Sequence, residues 1–156
     1  MASRLAAPAA VLLAAALLGG CGGSGVSSGA TVDVYLAAPL CAGSQRELQG
    51  EEVRAEGLEV RAVCLPPAAT AERVDLATVG ANARRASEDS AAVAYAEGPN
   101  PAAARFSRPI IESAGIAWVG ASDGTGAMAR VLRAIRASDR AGGSFRDEVR
   151  EALEAR

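Results

Sequence analysis

The residues in this chain best arranged for chemistry are Gly120-Ala121-Ser122-Asp123-Gly124. They form a G-x-S-x-G pattern between a predicted buried strand and a predicted helix. In that context a sharp turn can present a nucleophilic serine. Acyl transfer by such a serine needs a base within hydrogen-bond reach. The chain has no histidine, and all 16 basic residues are arginine, so no lysine can replace it. Ser122 therefore reads as a turn residue or helix cap, and the chain is not expected to be an enzyme. Without histidine the commonest metal ligand is also missing, and no metal site is expected. No G-x-G-x-x-G follows the first predicted strand, so neither a flavin nor a dinucleotide cofactor is expected.

Three cysteines carry the remaining chemistry. The first, Cys21, follows an apolar run from Leu5 to Leu18 that only Pro8 interrupts, with Arg4 as a positive start. The run is too short and alanine-rich for a bilayer span. It fits the n-region and h-region of a secretory signal over residues 1–20. Leu18-Gly19-Gly20-Cys21 resembles the bacterial lipobox. That resemblance implies a diacylglycerol on the Cys21 thiol and cleavage just before it. The mature chain would then be extracytoplasmic, held at the bacterial cell membrane by its lipid alone. The competing reading is an ordinary cleaved signal or an uncleaved anchor, with Cys21 incidental. Residues 21–30 are rich in glycine and serine and read as a flexible tether. Lipidation of Cys21 leaves Cys41 and Cys64, and an even remainder in an exported chain suggests a disulfide. The alternative is two buried free thiols.

After the signal there is chain for one small domain with one core. Half of the residues are apolar, but nearly half of these are alanine, which buries little area each. The net charge is −2 and no basic block is interleaved with the few aromatic residues, so no nucleic-acid partner is expected.

The elements that position these residues follow from periodicity. Strands are predicted over 31–36 (TVDVYL), 58–65 (LEVRAVCL), 91–96 (AAVAYA) and 116–119 (IAWV). A short polar helix is predicted over 44–55. Asp75 should cap a helix to about Glu88, with Leu76, Val79, Ala83 and Ala86 on its inner face. Asn100 and Pro101 should open the next, with Phe106, Ile110 and Ala114 along one face. Pro109 should kink it, and Gly115 should end it in a left-handed cap. Met128, Val131, Leu132 and Ile135 mark a strong amphipathic helix. After Ala-Gly-Gly, Ser144 with Asp147 opens a last helix with Phe145, Val149 and Leu153 inward. The alternation predicts an α/β fold: a three-layer, Rossmann-like parallel sheet in the order 2-1-3-4 over residues 31–137, with a C-terminal helix over 138–156. This order brings Cys41 and Cys64 just past the carboxyl ends of adjacent strands, within reach of a bridge. Open sheets of this kind take ligands at their carboxyl ends, where loops 37–43, 97–100 and 120–124 should meet. Backbone N–H groups at the start of the helix at Pro101 suit a carboxylate or phosphate.

The segments VDVYLAAPLCAG, LEVRAVCLPP and DLATVGANARRASEDSAAVAYAEGPNPAAARFSRPIIESAGIAWVGASDG carry a family resemblance. In order and spacing they resemble the N-terminal lobe of type 1 periplasmic binding proteins. The nearest branch is the leucine/isoleucine/valine-type substrate-binding proteins of branched-chain amino-acid ABC importers. The shared order is strand, P-L-x-G loop, strand, a helix reading A-x-x-A-R-R-x-x-x-D, a Y-x-G strand end and a helix ending P-I-x-x-x-A-G-I. The resemblance implies ligand contacts from Glu97, Gly98, Pro99 and Asn100 and from Ala121, Ser122 and Asp123. It implies a small polar solute or amino acid as ligand, and an ABC transporter or other protein as partner. The family usually offers small hydroxyl residues in the first of these loops. Glu97 would repel a ligand carboxylate unless it faces away. Family members close two lobes on the ligand by a hinge. Here a lone, truncated lobe is expected, with an open crevice and weak binding on its own. The second expectation is a lobe kept as a protein-interaction module without a small ligand.

Overall fold

Burial along the strands assigns their places in the sheet. The computed structural model describes residues 30–41, 54–55, 57–70, 72–138 and 144–155. The predicted signal and nearly all of the tether lie outside these residues, as does most of the predicted helix over 44–55. β1 (Thr31–Leu36) is buried from Val32 onward, and β4 (Ala92–Glu97) along its whole length. Strands buried on both faces belong in the middle of a parallel sheet. β3 (Leu58–Cys64) begins with buried and exposed residues in alternation and lies nearer one edge, and β5 (Ala117–Gly120) forms the other. β2 (Arg54–Ala55) completes the order β2-β3-β1-β4-β5. β1 pairs parallel with β3 and β4, and β4 with β5. The four predicted strands thus take the predicted 2-1-3-4 order. β2 corrects the end of the predicted 44–55 helix, because Arg54 and Ala55 pair antiparallel with Glu59 and Leu58. Pairing satisfies edge backbone groups of β3, which outweighs the propensity of a short polar helix.

After β3 the described residues form four helices: α1 (Leu76–Ser87), α2 (Pro101–Ser113), α3 (Gly124–Ala137) and α4 (Phe145–Glu154). The Asp75 carboxylate accepts from the N–H groups of Ala77 (3.0 Å) and Thr78 (3.3 Å), as an N-cap should. Gly115, at φ 72°, follows α2 in the left-handed conformation expected of it. Ser144 stands at the N-cap of α4, but its hydroxyl makes no cap bond. Asp147 pairs instead with Arg150 at 2.8 Å.

The helices cover opposite faces of the sheet. Val32, Val34 and Leu36 pack with Met128, Val131 and Ile135 of α3 and with Phe145, Val149 and Leu153 of α4. On the other face, Tyr35 and Tyr95 pack with Ala83 and Ala86 of α1 and Ile111 of α2. The result is a three-layer α/β lobe in which α4 shares the main core. A bulge in β4 sets which face its last residues take. Asp33 pairs with Ala92 but Val34 with Ala94, so Val93 is an extra residue. The slip turns Tyr95 and Glu97 toward the α1/α2 face.

Two inner-face expectations are corrected. Leu76 is 42% exposed, whereas Asn82 joins Val79, Ala83 and Ala86 in the buried stripe. On α2 the buried residues are Ala103, Ser107 and Ile111, and Phe106 is 43% exposed. Phe106 lies over α1 instead: a Cβ on Gly80 would come within 3.0 Å of its ring. Polar Ser107 tolerates the buried place because the Trp118 indole N–H donates to its hydroxyl at 3.3 Å. α2 runs on through Pro109, which is exposed, so water can satisfy the carbonyl bond that proline forfeits.

Two further contacts hold the sheet ends. Cys41 and Cys64 form a disulfide with Cα atoms 5.7 Å apart, joining the helical turn at 38–41 to the end of β3. Arg146, in the first turn of α4, donates to the carbonyls of Ser90 (2.9 Å), Asp89 (3.3 Å) and Ala114 (3.1 Å). These carbonyls precede β4 and β5.

Candidate functional site

β1 and β4 are neighbours, but β1 leads on to β3 on one side and β4 to β5 on the other. Such a reversal leaves a crevice at the carboxyl ends of the strands. A cavity of about 290 Å³ occupies it on the α1/α2 side. This is close to the lower end of the range for small-molecule sites, about 300–1,000 Å³. One wall is Ala37 to Pro39, after β1, and a second is formed by Pro66 and Ala68 to Thr70, after β3. Val79 and Asn82 of α1 and Gly98 to Asn100 before α2 supply the rest, with Tyr95 and Glu97 between them. The disulfide ties the first two walls together, because Cys41 and Cys64 lie beside them in the chain.

Glu97 is the ionisable side chain of most interest. It is 3% exposed. The Gly98 N–H donates to its Oε1 at 3.1 Å, and the Tyr95 hydroxyl to its Oε2 at 3.4 Å. Burial pushes its carboxyl pKa upward, and bonds from Gly98, Ser107 and Tyr95 only partly oppose this. Burial and the nearby carboxylate also raise the Tyr95 phenol well above its usual range, so it remains a proton donor. Asn82 donates from its amide to the Pro66 carbonyl at 3.0 Å. Asn100 has two duties. Its Oδ1 accepts from the N–H groups of Ala102 (3.0 Å) and Ala103 (3.1 Å), and its Nδ2 donates to the Thr70 carbonyl at 2.7 Å. One side chain therefore starts α2 and pins the 66–70 wall. A Cβ on Gly98 would meet nothing within 4 Å.

Of the residues expected to bind ligand, Glu97, Gly98 and Asn100 meet at this cavity, together with Pro99. Ala121 and Ser122 do not line it. The Ala121 N–H donates to the Glu97 carbonyl at 3.0 Å, which holds the two loops side by side. The Ser122 hydroxyl lies 3.3 Å from the Asp123 carboxylate, which caps α3 by accepting from the Gly126 N–H at 2.7 Å. The reason is topological: α3 crosses to the opposite face of the sheet from α1 and α2. Sequence reasoning missed the 66–70 wall, Tyr95 and Asn82. Asn82 carried a usable signal, as a polar residue between Val79 and Ala86 on the buried stripe of a helix.

The buried acid makes a prediction. A carboxyl whose folded pKa lies above its unfolded value stabilises the fold in its protonated form. That contribution is fully present below the unfolded pKa and is lost as pH rises through the folded pKa. Glu97→Gln keeps shape and neutrality. It should melt higher than the parent at pH 7.5, and the difference should vanish by about pH 4, near the unfolded carboxyl value. Melting curves across this range check it; a difference independent of pH would contradict it.

No protein-family model, curated protein or solved structure matches the chain. The class is therefore defined by geometry: a Rossmann-like α/β lobe with a small, largely apolar crevice at its topological switch point. Among the described residues no helix is long and apolar enough to cross a membrane.

Proposed function

We propose that this chain is an extracytoplasmic, lipid-anchored protein of solute-binding type, which takes a small solute at the carboxyl ends of β1 and β4. The observation that carries this reading is the cavity at the reversal of strand order, where open α/β sheets bind ligands. Support comes from the resemblance to the first lobe of type 1 periplasmic binding proteins, and from the lipobox-like Leu18 to Cys21. In this reading an ABC importer or another membrane protein is the partner. The lobe then binds without catalysing; the Ser122 hydroxyl faces a carboxylate engaged as a helix cap, which fits a turn residue.

A ligand that binds only the folded state must raise the melting temperature. Thermal unfolding of the full chain in neutral detergent, against a panel of amino acids and small polar solutes, should show a concentration-dependent rise. No rise across the panel would overturn solute binding. Cys21→Ser should move the protein from the membrane to the soluble fraction, and unchanged fractionation would remove the anchor.

A second reading, a protein-interaction module, is favoured by the exposure of Leu76 and Phe106, the large apolar side chains most open to solvent among the described residues. It gains if the solute panel fails and a membrane protein is captured by the parent but not by L76S or F106S.

A further inference from the structure

The polar groups of the cavity are unequal in kind. Each of its amides spends one donor within its own wall, and its phenol spends its single donor there. Asn82 donates to Pro66, Asn100 to Thr70, and Tyr95 to Glu97. The Gly98 N–H is directed at Glu97, and the Ala37 N–H donates to the Ala96 carbonyl at 2.9 Å. The first turn of α2 is closed to an anion as well, because the Asn100 oxygen already takes the N–H groups of Ala102 and Ala103. No arginine is among the described residues that line the cavity. Beside the second N–H of each amide and the Thr70 hydroxyl stand the acceptors: the Tyr95 oxygen, the side-chain carbonyl of Asn82 and the Glu97 carboxylate, the charged group among the described lining residues. Around them the wall is alanine, proline and valine.

We infer that the cavity takes an aliphatic amine, bound as its ammonium against Glu97, with no carboxylate beside the nitrogen. The inference rests on the solute-binding reading above and names the chemistry of that site. An ammonium donates up to three hydrogen bonds and accepts none, which matches the acceptors gathered around Glu97. A charge-assisted bond to a carboxylate is stronger than a neutral one, and a low-dielectric setting strengthens it further. The same setting penalises a ligand carboxylate, which would meet a like charge with no cation to offset it. A buried acid that works against stability is also what a binding site keeps when the acid has a partner to meet. The apolar wall suits a short hydrocarbon body. Amino acids, which the family resemblance implies, carry a carboxylate one carbon from the amine and are disfavoured here.

The test is isothermal titration of the full chain in neutral detergent with four probes: n-pentylamine, n-pentanol, pentanoate and L-leucine. Pentylamine should bind at least tenfold more tightly than the other three. Glu97→Gln should reduce pentylamine to the level of pentanol while melting no lower than the parent at pH 7.5. Leucine or pentanoate binding as tightly as pentylamine would overturn the inference and leave solute binding intact. So would equal pentylamine affinity in the parent and Glu97→Gln. Silence from these probes, with a positive response elsewhere in the wider solute panel, overturns the amine class alone. Silence throughout removes the solute-binding reading and the inference together.

Discussion

Phe145→Ala is expected to destabilise the lobe by about 3–5 kcal/mol, the usual loss for truncating a buried phenylalanine. Phe145 is fully enclosed and belongs to the same cluster as Val32, Val34, Met128 and Ile135. Deleting its ring leaves a hole in the core that α4 shares with α3 and the sheet. For a domain of this size each kcal/mol moves the midpoint by roughly 4 °C or more, so the melting temperature should fall by more than about 10 °C. Urea unfolding gives the free energy directly. A loss below about 1 kcal/mol would mean that α4 lies on the surface as an appendage, outside the usual range for a core phenylalanine. Burial of Val149 and Leu153, and the bonds from Arg146 to three carbonyls, argue that it does not.

Removing the Cys41–Cys64 bridge, by reduction or as C41A/C64A, should cost about 3 kcal/mol. The cysteines are 23 residues apart, and closing a loop of that length in the unfolded chain accounts for about this amount in the chain-entropy treatment. The loss should appear as a lower midpoint in urea. A thiol titration of unfolded, unreduced protein should find no reactive Cys41 or Cys64. Reactive thiols there would overturn the bridge. Because the bridge joins the 37–39 wall to the strand that leads into Pro66, its loss should also weaken any ligand that uses both walls.

Much of this arrangement is legible in the residues themselves, for identifiable reasons. AAVAYA is apolar throughout because β4 is covered on both faces. Asp75, Asn100 and Gly115 announce helix ends because unsatisfied backbone groups demand particular side chains or conformations there. The errors are also physical. Apolar periodicity in α2 points to Phe106, Ile110 and Ala114, because a buried hydroxyl leaves no apolar mark. Ser107 holds the place nearest the sheet because Trp118 satisfies its hydroxyl. Periodicity in α3 identified the correct buried residues but not the face of the sheet they would cover, and that choice removed Ala121 and Ser122 from the cavity. Nothing in the spacing of Pro66 to Thr70 shows that this loop folds back to Asn100. The link is a single hydrogen bond that the Asn100 amide donates to the Thr70 carbonyl, across 30 residues. The pairing of Arg54 and Ala55 is not legible in their own residue types, because edge pairing is a property of the partner strand.

The place of β1 has a mechanical consequence. It is flanked by β3 and β4, and its partners on both sides run parallel to it. Its six residues carry the chain about 20 Å, from Thr31 to the pole where the cavity opens. A pull on the segment preceding Thr31 is directed along this strand. It loads both hydrogen-bond ladders in shear at once, whereas a pull on an edge strand would unzip one ladder a bond at a time. The disulfide fastens the far end of the same path. Were the lobe held from the Thr31 side, traction would meet both ladders of β1 together, with the cavity at the opposite end of that strand.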